Sequence, residues 1–157
     1  MDYFCGWDGG GTKTAVCITD GEGHEIAEST FGPLNLNGAS RETVQASVEH
    51  AISFMQRAVK GEIKGLVIGM AGVSNRDAAA FLESAVRSAG YTGKMKLAGD
   101  HEIALAGAIR GTGAILIAGT GSVLYGRDAL GQPFRTGGWG YLIDDVGSGY
   151  AIGQSIL

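Results

Sequence analysis

Seven consecutive residues near the start of the chain, Asp8-Gly9-Gly10-Gly11-Thr12-Lys13-Thr14, combine a carboxylate, three glycines, two hydroxyls and an amine. Glycines leave the backbone N–H groups uncovered, and successive N–H groups form a concavity that binds anions. Thr12 and Thr14 can add hydroxyl donors, Lys13 a positive charge, and Asp8 can hold a hydrated magnesium ion. That is phosphate chemistry. It is not the Walker arrangement: Thr12 interrupts the required Gly-Lys pair, and the residues that follow read as a strand rather than a helix. The competing reading is a plain hairpin turn, but type I′ and II′ turns need at most two such residues.

Gly119-Thr120-Gly121-Ser122 repeats the arrangement later in the chain. Alone it also suits an ordinary turn, and it lacks the last glycine of a dinucleotide fingerprint. Paired with the first loop it reads as the second of two strand–loop–strand phosphate clamps. Asp100 falls between the end of a predicted strand and the start of a predicted helix, where open α/β sheets place ligand-facing residues; a helix N-cap is the alternative. Gly137-Gly138-Trp139-Gly140-Tyr141, followed by Asp144-Asp145-Val146-Gly147-Ser148-Gly149, sets glycines around an aromatic ring and two carboxylates. This composition suits sugar binding through ring stacking and hydroxyl acceptors, and equally a core Trp in a turn-rich connection.

The elements that must position these groups follow from periodicity. Tyr3 to Trp7, Thr14 to Thr19 and Glu25 to Phe31 read as an antiparallel meander. Ser40 caps a helix with Val44, Val48, Ala51, Ile52, Met55 and Val59 on one face, closed by Gly61. Leu66 to Met70 is a short apolar strand. Ser74-Asn75-Arg76-Asp77 resembles a capping box for a helix that ends at Gly90. Met95 to Ala98 is a strand and Glu102 to Ile109 a helix; Ala114 to Ala118 and Val123 to Tyr125 are strands. Tyr141 to Leu157 turns helical and stops as the truncated front of a longer protein would. The expected class is α/β, a βββαβαβα mixed sheet with helices on both faces, followed by the start of a second, similar lobe.

Of 157 residues, 45 % are apolar, 18 % are charged and 28 are glycine, and the net charge is −4. The chain can bury a core, and without a basic run nucleic acid is not expected as a partner. No apolar run reaches the roughly 18 residues of a membrane span, and no secretory leader is read at the N-terminus. Cys5 and Cys17 lie in strand-like runs, which fits buried thiols in a reducing, cytoplasmic setting better than a disulfide or a metal site. His50 and His101 have no metal-ligand spacing.

Asp8 to Thr14, Asp100, Gly119 to Ser122 and Gly137 to Ser148 together resemble, in order, the BadF/BadG/BcrA/BcrD-type ATPases, which include N-acetylglucosamine, glucosamine and N-acetylmuramic acid kinases. The resemblance covers the whole chain and implies an actin-like (ribonuclease H-like) fold. Residues 1–110 would form the first lobe and 111–157 the truncated opening of the second. It implies ATP and Mg2+ as cofactors, an amino sugar as substrate, and Asp100 as the base that takes the proton of the sugar 6-hydroxyl. Gly9 to Thr14 and Gly119 to Ser122 would hold phosphates, with Asp8 near magnesium through water. Asn35 matches the sugar-contacting asparagine, with Asn37 the other candidate. Gly138, Trp139 and Asp145 match the sugar-binding segment. Family kinases often read Gly-Asp-Glu-Gly-Ser where this chain has Asp144-Asp145-Val146-Gly147-Ser148, a departure that bears on which sugar is taken.

Family members are often homodimers. The adenosine pocket belongs mostly to the second lobe, so this chain alone is expected to turn over little ATP. A second class within the family, ATPase activators of 2-hydroxyacyl-CoA dehydratases, uses cluster cysteines in glycine-rich loops. Cys5 and Cys17 do not fit that pattern.

Overall fold

The computed structural model describes residues 1–70 and 72–156. The chain divides into two compact units, Met1–Asp100 and His101–Leu157. The first holds β1 (Tyr3–Gly9), β2 (Thr14–Asp20), β3 (Glu25–Phe31), α1 (Arg41–Ala58), β4 (Ile63–Met70), α2 (Arg76–Ser88) and β5 (Lys94–Gly99). They form one five-stranded sheet of order β3-β2-β1-β4-β5. β1, β2 and β3 are antiparallel neighbours, whereas β4 and β5 run parallel to β1.

Alternation along the strands decides which side becomes core. Cys5 and Trp7 are buried while the alternating Phe4, Gly6 and Asp8 are exposed. Register extends that face sideways: Cys5 lies opposite Ile18 and Leu66, and Trp7 opposite Val16 and Ile68. Against it pack Val44, Val48, Ala51, Ile52 and Met55 of α1 and Leu82, Ala85 and Val86 of α2. Each fully buried large aliphatic side chain here contributes about 1.5–3 kcal/mol. The other face of the sheet presents Phe4 and Val67, 44 % and 39 % exposed, so neither α1 nor α2 covers it.

Local chemistry sets the helix ends. The Thr43 N–H donates to Ser40 Oγ at 3.2 Å and opens α1. Asn75, not Ser74, caps α2, accepting from the N–H groups of Asp77 and Ala78 at 3.0 and 3.2 Å. Its amide oxygen reaches both N–H groups, so the helix starts one residue beyond the expected cap. Gly90, with φ of 99°, ends α2 in the left-handed region, and Tyr91 N–H donates back to Val86 C=O. Tyr91 Oη lies 3.2 Å from the Ile63 carbonyl oxygen and 3.0 Å from that of Lys94, its single proton shared between them, which ties this corner to β4 and β5.

α3 (Asp100–Ala108) leads into the second unit: β6 (Gly113–Ala118), β7 (Ser122–Arg127), β8 (Pro133–Gly137) and α4 (Gly149–Ile156). Its strands form a β6-β7-β8 antiparallel meander. β8 is short and opens on Pro133, tolerated at the first residue of an edge strand but easily read as loop. The helix expected from Tyr141 begins only at Gly149. Gly140, Asp145 and Gly147 all have positive φ, which breaks the segment into turns first. Among the described residues no helix is long and apolar enough to cross a membrane.

Candidate functional site

The three glycines of the first loop are glycine for different reasons. A Cβ on Gly9 would lie 2.9 Å from Leu34 Cδ1 and 3.0 Å from the Gly69 carbonyl oxygen; on Gly10 it would lie 3.0 Å from the Lys13 carbonyl oxygen. On Gly11 it would meet no described atom within 4 Å, and its φ is not positive. Folding therefore explains Gly9 and Gly10, whereas no described contact accounts for Gly11. Gly10 N–H closes the turn onto Lys13 C=O at 2.9 Å, leaving Gly11 and Thr12 at the exposed tip.

Thr14 differs from the expected phosphate donor. It is buried, and its hydroxyl donates to the Gly32 carbonyl at 2.7 Å, so that proton is committed. Its work is to hold the segment after β3. That segment is gripped again by Leu34, which is buried and whose N–H donates to Gly10 C=O at 3.3 Å. Asn35 follows directly. Its side-chain oxygen accepts from Asn37 N–H at 2.9 Å, an Asx turn that orients the amide. The glycine loop and the asparagine segment are thus one structural piece.

Parallel strands bring the rest together. Gly9 of β1 lies opposite Met70 of β4, and Met70 opposite Gly99 of β5, so Asp100 emerges at the carboxyl ends of these strands. Asp100 is exposed in the first turn of α3. Asp8, also exposed, lies opposite Ala15 and Gly69. Among the described residues no three His, Cys, Asp or Glu side chains cluster as a metal cage. A single carboxylate fits magnesium held mainly by water and phosphate oxygens.

A pocket of about 390 Å3 opens beside Asn35, lined by Asn35, Asn37, Arg41, Met70, Asn75 and Asp77 among others. That volume lies in the range of small-molecule sites. Asn75 and Asp77 read from the sequence only as part of a capping box, and Arg41 carries no sequence signal. The signal for their role is spatial, since two helix starts converge on the end of β4.

In the second unit, Asp145 is buried with φ of 65°, and its Oδ1 accepts from Ser122 N–H at 3.3 Å. It braces the Gly119–Ser122 loop, and a Cβ on Gly121 would strike its carboxylate at 2.9 Å. Gly119 C=O accepts from Gly149 N–H and Thr120 C=O from Tyr150 N–H, seating the loop on the start of α4. Ser148 is fully buried and caps that helix, its Oγ accepting from Ala151 N–H. Trp139 is 67 % exposed, with the Arg135 guanidinium 4.8 Å from its ring centre, and the Trp139 backbone N–H donates to Asp144 Oδ2 at 3.4 Å. Arg135 itself donates to the carbonyls of Gly137 and Gly138. Gly138, Trp139 and Asp145 therefore sit in one folded segment, with Asp145 directed at the loop.

Burial pushes the Cys5 thiol up to about 12, and Cys17 is raised by burial and then by Glu25 and Glu28. Neither thiol is poised for nucleophilic chemistry.

The sequence profile of the BadF/BadG/BcrA/BcrD ATPase family matches residues 5–157. The chain is 39 % identical to the N-acetylmuramic acid/N-acetylglucosamine kinase of Clostridium acetobutylicum, covering 98 % of this chain and 51 % of the relative. It is 32 % identical to the N-acetyl-D-glucosamine kinase of Dictyostelium discoideum, covering 99 % and 53 %. A crystal structure of a candidate N-acetylglucosamine kinase from Chromobacterium violaceum superimposes with a TM-score of 0.70 at 30 % identity, covering 98 % of this chain and 54 % of that one. The chain spans about half the length of these relatives.

Proposed function

Because the chain belongs to the BadF/BadG/BcrA/BcrD ATPase family, we propose that the whole protein phosphorylates an N-acetylated amino sugar from ATP. The observation that carries this reading is the convergence of the glycine loop, Asn35 and Asp100 at the carboxyl ends of β1, β4 and β5. Residues 1 to about 110 serve as the first lobe and the remainder opens the second.

Gly11 and Thr12 offer N–H groups to phosphate oxygens, and Lys13 adds charge. Asp8 would hold magnesium through water, and the ion would neutralise charge on the phosphates. Gly119 to Ser122, held in shape by Asp145, is the second phosphate loop. Asn35 hydrogen-bonds the sugar and fixes its 6-hydroxyl near Asp100; Gly138 and Trp139 belong to the sugar-binding segment that the family resemblance implies. Asp100 takes the hydroxyl proton as that oxygen attacks the γ-phosphorus; the O–P bond forms and the bridging bond to the β-phosphate breaks, leaving ADP.

A coupled ADP-release assay on the complete protein, with N-acetylglucosamine, N-acetylmuramic acid and glucosamine, tests the proposal. Sugar-dependent ADP release is expected, falling about 10²–10⁴-fold in Asp100→Asn. ADP release without sugar, or an unaffected variant, would overturn it in favour of the activator-type ATPase.

A further inference from the structure

The pocket beside Asn35 is polar at its rim and apolar at its floor. Asn35, Asn37, Asn75, Asp77 and Arg41 surround Met70 and Ala78, which are buried. Arg41 stands against the usual charge preference of a helix start. It is the first residue of α1, where the helix dipole disfavours a cation by about 0.3–1 kcal/mol. Its guanidinium instead lies 5.0 Å from the centre of the Phe81 ring of α2. Stacking of this kind fixes the plane of the group and leaves its edge N–H donors free for a planar anion. Among the described residues no carboxylate lies within ion-pair distance of it, although its charge adds to the backbone hydrogen bond that lowers the Glu42 carboxyl on the same turn; Asp77 lines the same pocket without reaching it.

We infer that Arg41 selects amino sugars bearing a carboxylate substituent, binding that carboxylate in the pocket beside Asn35. The inference rests on the kinase reading and deepens it. Asn35 and Arg41 line the same pocket, so a ring substituent of a sugar held by Asn35 can enter this space, and a fork of guanidinium N–H groups matches carboxylate geometry in a way that hydroxyls do not. Asp77 sets the opposite limit. It disfavours an anion that strays from Arg41, so position within the pocket matters as well as charge.

The experiment compares kcat/KM of the complete enzyme for N-acetylglucosamine and for its 3-O-lactyl ether, N-acetylmuramic acid. The readout is the ratio of acidic to neutral sugar in the unaltered enzyme, in Arg41→Gln and in Arg41→Lys. Loss of a charge-assisted hydrogen bond predicts a fall in this ratio of about 10- to 100-fold in Arg41→Gln, carried by KM. Partial recovery is expected in Arg41→Lys, which keeps the charge but not the fork. If the unaltered enzyme phosphorylates the neutral sugar but not the acidic one, or if the ratio is the same in all three proteins, the inference is overturned while the kinase reading stands. If neither sugar is phosphorylated, the kinase reading itself fails and takes this inference with it.

Discussion

Gly9→Ala, set beside Gly6→Ala on the same strand, isolates what the first loop requires of its glycines. At Gly9 the new methyl would lie 2.9 Å from Leu34 Cδ1, 3.1 Å from Leu34 Cβ and 3.0 Å from the Gly69 carbonyl oxygen. The Leu34 side chain can shift, but Gly69 belongs to the neighbouring strand and cannot retreat without disturbing the β1–β4 ladder. Overpacking of this kind costs about 1–3 kcal/mol, against which Ala in place of Gly returns about 0.4–1 kcal/mol by restricting the unfolded chain. A net loss of about 1–2 kcal/mol follows. At about 2–4 °C per kcal/mol this lowers Tm by about 2–8 °C. At Gly6 no described atom lies within 4 Å of the added methyl and φ is not positive, so that variant gains the entropic term alone. Thermal unfolding of the complete protein measures both, and the KM values for ATP and sugar should rise only in Gly9→Ala. Equal Tm values for the two variants would show that Leu34 does not hold the loop as described.

Thr14→Val keeps shape but removes the hydroxyl that donates to Gly32 C=O. It should cost about 1–3 kcal/mol in denaturant unfolding, with a raised sugar KM as the Asn35 segment loosens. For the thiols, native Cys17 should react with an aromatic disulfide at pH 8 before Cys5, which should react only on unfolding. Both are raised, so rates for each should climb as pH increases toward the thiol pKa, about 12 for Cys5.

How much could be read in advance divides along a physical line. The Cys5/Trp7 alternation and the α1 stripe from Val44 to Met55 follow from local periodicity, and both are core in the structure. The glycine loops were legible as backbone, because side-chain-free tips announce themselves in composition. What the loops' neighbours do was not legible. Thr14 lies within the phosphate motif, yet its hydroxyl turns to Gly32, a partner set by the register of β2 with β3. Asp145 reads as a ligand for sugar hydroxyls, yet its positive φ and contact with Ser122 come from long-range folding of the 119–150 region. Arg41 has no motif at all. Its meaning comes from Phe81 and Asn75, which tertiary packing alone brings near.

The ordering of the five-stranded sheet also governs how copies of this chain meet. Its two outer strands carry opposite charges: β3 has Glu25 and Glu28, and β5 has Lys94 and Lys96. A strand from another copy laid along β3 by its own β3 would set glutamate against glutamate, and β5 against β5 would set lysine against lysine. Such rims guard unpaired backbone groups against runaway strand addition. The one complementary approach, β3 to β5, draws on exposed charges that salt screens within about 8–10 Å at physiological ionic strength. The charges on the two rims thus disfavour like-with-like strand pairing between copies of this sheet.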